Sequence, residues 1–441
     1  MHVQRSLLSD YLPCDIKFKH EEFIMVIGAG TPETVLDLNQ IRDIISRSLP
    51  SSYVTNKRIL VLTPDTTRTC PLPEMVRCLQ EIVGPQAAQL DFMVALGTHT
   101  PLSSERILEL YGIDEQQAKK YPNSSYFNHR WDLDDTMTRV GWIDENEIET
   151  LSGGRLKERV PVDINKAIFD YDMILICGPV FPHEVVGYSG GAKYLFPGIS
   201  GGEFLHAFHW LGAVVTCAGT IGIKHTPVRE VINRAMELID IEVSCLSMVV
   251  KSQTELYGLY AGDYREAWSL AADLSEQVHV VEKEHAFSTV FGICPPMYNE
   301  IWTGGKVMYK LEQVVADGGT LIIYAPHITE VSRTWGTDIE KIGYHIVDYF
   351  LEQPDRFPDI PRGVLAHSTH VRGTGIMEDG VERPRVTIQL ASQIPADVCE
   401  KINLGYLDPD TINPDDYRGR EADGILFVEK AGEILHRVKN M

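Results

Sequence analysis

Long apolar runs are missing from this chain of 441 residues. No stretch approaches the ~18 uncharged apolar residues that a membrane-crossing helix needs, so no membrane span is expected. Paired cysteines are missing too. The eight cysteines stand at 14, 70, 78, 177, 217, 245, 294 and 399, with no Cys-x-x-Cys spacing. Scattered thiols suit a reducing cytoplasm better than a disulfide framework, and they argue against a cysteine-rich zinc module. Ser9, Asp10 and Pro13 interrupt the short apolar run at the start, which makes a poor signal peptide. Positive charge is scarce. The formal net charge of −22 speaks against nucleic acid or an anionic membrane as partner. It also means that an anionic substrate must be held by a few local cations against the field of the whole protein.

What is present reads as a globular α/β chain. Hydrophobic residues make up 44% and charged residues 23%, an ordinary soluble balance, and the length exceeds one ordinary core. Continuous β-branched runs at Arg58–Thr63, Asp91–Leu96, Met173–Cys177 and Thr320–Tyr324 fit strands covered on both faces. Helical patterns lie between them, at 73–82 and 103–110 for example. This alternation predicts an α/β fold of two domains, with open, mostly parallel sheets flanked by helices and the active site in the cleft between them. The predicted division is 1–272 and 275–415, with a segment at about 420–441 returning to the first domain. Residues 298–316 read as helical, and the acidic stretch 407–418 as an exposed loop. Three of the strands run into polar loops, Pro-Asp-Thr-Thr-Arg68, Gly97-Thr-His-Thr-Pro101 and Gly178-Pro-Val-Phe-Pro-His-Glu184. Ligands of open α/β sheets bind beyond the carboxyl ends of the strands, so these loops are expected to converge.

Chemistry concentrates in 182–202, where six glycines in twenty-one residues surround His183 and a single lysine, Lys193. A turn-rich connector would have similar composition, but the segment lacks the Gly-Lys-Ser/Thr ending of a phosphate loop. Ala192, Tyr194, Leu195 and Phe196 flank Lys193. An amine desolvated there would have a lowered pKa and be fit for covalent attachment. His206 and His209 follow, three apart on a predicted helix, and either suits a metal or plain packing. His99 and His183, each a loop histidine on its own, together offer two acid/base groups on two strand ends, as inversion of a stereocentre requires. Arg68 suits bidentate carboxylate or phosphate binding and Asp65 suits hydroxyls, although a capped turn has the same spacing. Lys306 is a second candidate anion contact.

In order along the chain, Asp65-Thr-Thr-Arg68, Gly97-Thr-His99, and Gly178-Pro-Val-Phe-Pro-His183 through Gly-Tyr-Ser-Gly-Gly-Ala-Lys193 to Phe-Pro-Gly-Ile-Ser-Gly201 resemble the nickel-dependent lactate racemase family. The resemblance spans nearly the whole chain. It implies an isomerase, a 2-hydroxy acid racemase or epimerase using a nickel-pincer nucleotide, a nicotinic-acid-derived bisthiocarboxylic mononucleotide that holds nickel through one carbon and two sulfurs. On that resemblance Lys193 matches the residue that tethers the cofactor, and His209 matches the nickel ligand. Asp65 and Thr66 fall in its contacting loop, His99 and His183 match the acid/base pair, and Arg68 and Lys306 match the substrate-carboxylate contacts. It further implies partner enzymes for cofactor maturation, and leaves a homo-oligomer open.

The departures bear on substrate. Trp302-Thr303 replaces the family's Tyr-Gln pair before Lys306, and a polar run, Ala366-His-Ser-Thr-His-Val-Arg372, stands where a tryptophan is expected. Both suggest a substrate larger than lactate, such as an aldonic acid inverted at C2. Two other readings keep the same residues. One is a sugar-acid or nucleotide-binding protein without catalysis; the other is a hydrolase with its metal on His183, His206 and His209.

Overall fold

The computed structural model describes residues 25–439, so the reading of the first residues lies outside the described part. Seven strands form one sheet: β1 (Ile27–Gly30), β2 (Arg58–Thr63), β3 (Gln89–Val94), β4 (Tyr126–Asn128), β5 (Met173–Pro179), β6 (Glu242–Val250) and β7 (Leu256–Asp263). Their order is β1-β7-β6-β5-β2-β3-β4. From β6 to β4 all pairings are parallel, and β7 and β1 close one side antiparallel. A second sheet holds β8 (Phe287–Ile293), β9 (Val315–Ala325), β10 (Thr387–Ser392), β11 (Gly405–Leu407) and β12 (Ile425–Val428). It is parallel throughout, in the order β11-β10-β9-β8-β12. The α/β architecture with mostly parallel sheets is thus as the sequence predicts.

The reason lies in the side chains. Ile59, Leu60, Val61 and Leu62 on β2 are all buried, so both faces of the strand are covered. Each such side chain contributes about 1.5–3 kcal/mol by leaving water. The Gly202–Val215 helix is apolar nearly all round, and a helix of that kind sits in a core. Phe204, Phe208 and Leu211 join the core under the first sheet, while Trp210, Ala213 and Val214 join that of the second. This helix packs along the Arg362–Arg372 helix and carries His209 into the seam.

Two predicted boundaries need correction. The division at 272–275 falls inside the unbroken Tyr264–His279 helix, whose Ala271, Ala272 and Leu274 pack against Val180 and Val249 of the first sheet's side. The Ile425–Val428 strand does not return to the first sheet; it pairs with β8 and extends the second, with Phe427 stacked on Phe291 at 5.6 Å. Only the last strand, Leu435–Val438, reaches back, with Leu435 against Gly222. The predicted helix over 298–316 is interrupted as well. It forms Ile301–Gly304 and Lys306–Leu311 and then gives way to β9, with Gly304 and Gly305 at the break. No helix among the described residues is long and apolar enough to cross a membrane.

Candidate functional site

β5, β2 and β3 are adjacent, so the loops that leave their carboxyl ends emerge side by side. These are the three loops singled out above. A backbone hydrogen bond from Gly97 N–H to Gly198 O, 2.8 Å long, ties the His99 loop to the segment after Lys193.

The Asp65 carboxylate is buried and well connected. Its Oδ1 accepts from Thr67 N–H at 3.0 Å and from the Thr67 hydroxyl at 2.7 Å, and its Oδ2 stands 2.5 Å from His99 Nδ1. Burial opposes its ionisation, but His99, Thr67 and Arg68 outweigh burial and hold the carboxyl well below its usual range. An ionised Asp65 fixes the His99 proton on Nδ1 and leaves Nε2 bare on a ring that is 44% exposed. The indole of Trp131 donates to His99 O at 2.8 Å and pins the loop from outside. Thr66 itself is exposed at the loop tip; its neighbour Thr67 makes the bonds to Asp65.

His183 lies in a two-residue strand, Pro182–His183, paired with Gly187–Tyr188. Gly187 has φ of 90°, and a Cβ placed there would collide with Ile223 O, so no side chain fits. Val185 N–H donates to His183 Nδ1 at 3.1 Å, which assigns the ring proton to Nε2. Burial, followed by the charges of Lys193, Arg68 and Lys310, pushes the imidazole well below its usual pKa, so it is neutral. The two histidines therefore carry opposite tautomers.

Lys193 sits on the short Gly191–Tyr194 turn, which is backed by Trp268 against Gly191 and anchored by Trp268 Nε1 to Ser189 O at 2.8 Å. Burial first and the Arg68 charge second bring its ammonium down to about 7. Arg229, buried behind this loop, bonds Tyr188 O and lies 4.1 Å from the Trp268 ring. His209 donates from Nδ1 to Leu205 O, 2.7 Å away, and burial lowers its pKa to about 3, so Nε2 keeps a free lone pair. His206 faces elsewhere, with Nδ1 unpartnered against Gly363 of the neighbouring helix.

The second sheet contributes Lys306, at the start of the Lys306–Leu311 helix and 4.7 Å from the Tyr298 ring. Burial and Arg68 lower it to about 7. The Trp302 ring lies tilted against His367 with centroids 4.1 Å apart, and the Thr303 hydroxyl donates to Glu300 O at 3.1 Å. Two participants, Lys310 and Glu184, escape a reading of the sequence, and a third, His370, stands inside the polar run at 366–372. Lys310, buried and bonded to Pro182 O, is lowered by burial to about 8. It stands four residues after Lys306 in an otherwise apolar helix, and that spacing was the available signal. Glu184 is ionised beside His183, since Lys310, a hydrogen bond from its own backbone N–H and Lys306 outweigh the burial that opposes it. His370 is buried on the Arg362–Arg372 helix.

The result is a local cationic field in an acidic protein. Arg68, Lys193, Lys306 and Lys310 act on the same buried groups, against the carboxylates of Asp65 and Glu184. Such a set suits a small anion. The donors also fit the cofactor named in the resemblance. A partly neutral amine at Lys193 is a nucleophile for thioester-like carbon, and a bare imidazole nitrogen at His209 is a nickel donor. By contrast, no three His, Cys, Asp or Glu side chains converge on one point among the described residues, which leaves the three-histidine hydrolase without its ligand set.

Comparison with known proteins points the same way. Residues 33–220 match the family model described as "Lactate racemase N-terminal domain". The chain is 26% identical over 276 residues to the lactate racemase of Lactiplantibacillus plantarum, covering 60% of this chain and 59% of that protein. It is 22% identical over 296 residues to the lactate racemase of Thermoanaerobacterium thermosaccharolyticum, covering 64% and 65%. The matched region thus spans less than two thirds of these curated relatives. Among solved structures, a Thermotoga maritima protein aligns over 92% of this chain and 99% of its own, with a TM-score of 0.83 and 29% identity. The lactate racemase apoprotein of Thermoanaerobacterium thermosaccharolyticum aligns over 90% and 92% with a TM-score of 0.69 at 17% identity, a likeness of fold.

Proposed function

We propose that this chain, whose residues 33–220 match the lactate racemase N-terminal domain, is an isomerase inverting C2 of a small 2-hydroxy acid. The observation that carries this reading is the set of Arg68, Lys193, a neutral His183 and a carboxylate-bound His99 on loops from three adjacent strand ends, with Lys306 contributed by the second sheet. Arg68 and Lys306 bind the substrate carboxylate. With the carboxylate held there, His99 Nε2 accepts the proton of the C2 hydroxyl, and Asp65 stabilises the imidazolium as it forms. His183, with its proton on Nε2, donates toward the same oxygen from a different loop and serves the opposite stereoisomer.

Taking a carbon-bound proton beside an ionised carboxylate would create an unstable dianion, so removal of hydride is the easier course. A nickel-pincer nucleotide on Lys193 and His209 would supply the hydride acceptor. The amine of Lys193 would form the tether, His209 Nε2 would be the nitrogen offered to the metal, and the glycines of 187–202 would let backbone approach closely. The loss of the Tyr-Gln pair before Lys306 supports a substrate larger than lactate, such as a sugar acid.

Intact mass of protein co-produced with cofactor-maturation enzymes tests the reading. An adduct on Lys193, missing from Lys193→Ala, together with loss of optical purity of an added 2-hydroxy acid, is the expected result. An unmodified Lys193 alongside undiminished inversion would refute it.

A further inference from the structure

The backbone around His183 is held by side chains, carbonyl after carbonyl. The Ser275 hydroxyl donates to Val180 O at 2.8 Å, Thr220 to Glu184 O, Thr226 to Val186 O at 3.2 Å, Arg229 to Tyr188 O, and the Trp268 indole to Ser189 O at 2.8 Å. All five donors stand in the chain before the second sheet begins at Phe287. A sixth comes from the other side. Lys310, on the Lys306–Leu311 helix between β8 and β9, donates to Pro182 O, the carbonyl immediately before His183. Among the described residues this is the one hydrogen bond that reaches the His183 turn from the second sheet's part of the chain.

A buried ammonium is a costly way to hold a carbonyl. Lys310 is 3% exposed, and Pro182 O is its one hydrogen-bond partner among the described residues, although an ammonium carries three donors. Its neighbours Val307, Met308, Tyr309 and Leu311 are all in the core of the second sheet. An apolar side chain of similar volume at 310 would pack there without the loss of hydration that a charge suffers. Stability is therefore not what the lysine supplies. Position is. Lys306 stands four residues earlier on the same short helix, and that spacing puts both lysines on one face.

Resting on the function proposed above, we propose that Lys310 is a positioning residue: by holding Pro182 O it fixes the His183 ring relative to Lys306, so that one short helix sets both the substrate carboxylate and the acid/base group. The distance between those two points then depends on the helix and one hydrogen bond, and not on how far the two sheets stand apart. His183 keeps its ring orientation through Val185 N–H, which belongs to the same turn. Without Lys310 the turn loses its tie to the second sheet, and a displacement of ~1 Å at a reacting group is enough to cost about a hundredfold in rate.

Lys310→Met and Lys310→Leu test this, because stability and catalysis are expected to move apart. Both variants should unfold at a denaturant concentration no lower than the native protein. In the cofactor-loaded variants turnover of the 2-hydroxy acid should fall about ten- to a hundredfold while KM changes by less than about threefold, since Arg68 and Lys306 remain. Nitrogen NMR of labelled histidines in the cofactor-free protein supplies a readout that needs no activity. His183 should show its proton on Nε2 in the native protein and a mixture of tautomers in the variants, while the signals of His99, held by Asp65, stay in place. His183 signals unchanged in the folded variants would overturn the positioning role and leave the racemase reading standing. Earlier unfolding of both variants would mark Lys310 as a structural residue and overturn it as well. A native protein that inverts no 2-hydroxy acid overturns the racemase reading, whereas the His183 signals still decide the contact.

Discussion

Lys193 offers a measurement that needs neither cofactor nor substrate. Burial, reinforced by Arg68 and only partly countered by Glu184, brings the amine from 10.5 to about 7. At pH 7 about half of Lys193 is then neutral, against ~3 × 10⁻⁴ of an ordinary surface lysine, a ratio of about a thousand. A weaker base is also a weaker nucleophile. If amines follow a slope of ~0.4–0.5, as thiolates do, the loss is about thirty- to sixtyfold and the net advantage in rate is a few tens. Access through a half-buried position reduces it further, so the rate alone does not decide the matter. The midpoint does.

Trace acetylation of the cofactor-free protein, completed with deuterated reagent after unfolding and mapped by peptide mass, follows each lysine separately. Lys193 labelling is expected to rise through about pH 7 and level off by about pH 8.5, while exposed lysines such as Lys157 climb past pH 10. Arg68→Gln should move the Lys193 midpoint upward but leave it well short of 10.5, because burial is the larger cause. Labelling of Lys193 that tracks the surface lysines through pH 9 and beyond would show an ordinary ammonium there, and the case for a reactive amine would fail.

Three further outcomes follow from the same contacts. Asp65→Asn removes a charge-assisted bond worth ~1.5–3 kcal/mol, so turnover should drop about ten- to a hundredfold. Because the Asp65 carboxyl is depressed in the fold, its contribution to stability is present above about pH 4 and is lost as pH falls through the folded value. Chemical denaturation should therefore separate Asp65→Asn from the native protein at pH 6 and bring them together toward pH 2. His209→Ala in protein that still carries the Lys193 adduct should lower bound nickel by more than the ~10-fold that loss of an outer partner costs, measured by metal analysis; full retention would remove His209 as a ligand. Gly187→Ala, where φ is 90° and the new Cβ would run into Ile223 O, should cost at least about 2 kcal/mol of stability; an unchanged melting temperature would mean that the His183 turn is not as tight as described.

The extent to which these features were legible in the sequence follows from how far each one depends on distant contacts. The Arg58–Thr63 strand could be read residue for residue, because a strand covered on both faces must be apolar at every position. The strand read at 91–96 begins two residues earlier and stops at Val94, since Ala95 N–H turns to bond Thr63 O and the chain leaves the sheet while still apolar. Asp65, His99, His183, Lys193 and His209 could be picked out because each stands in a loop or helix whose residues have little packing reason to be there. Glu184 and Lys310 could not, and within the run at 366–372 nothing set His370 apart from its neighbours. Each is a polar residue whose partner lies more than a hundred positions away, or is missing altogether, and local sequence looks the same either way. The polar run at 366–372 shows the converse error, because Ser368 and Thr369 suggest an open pocket until their bonds to Gly343 and Ala366 are seen. Polarity in sequence marks where hydrogen bonds are required. Only the three-dimensional pairing tells which of them the protein satisfies itself and which, as with His370 Nε2, it leaves without a partner.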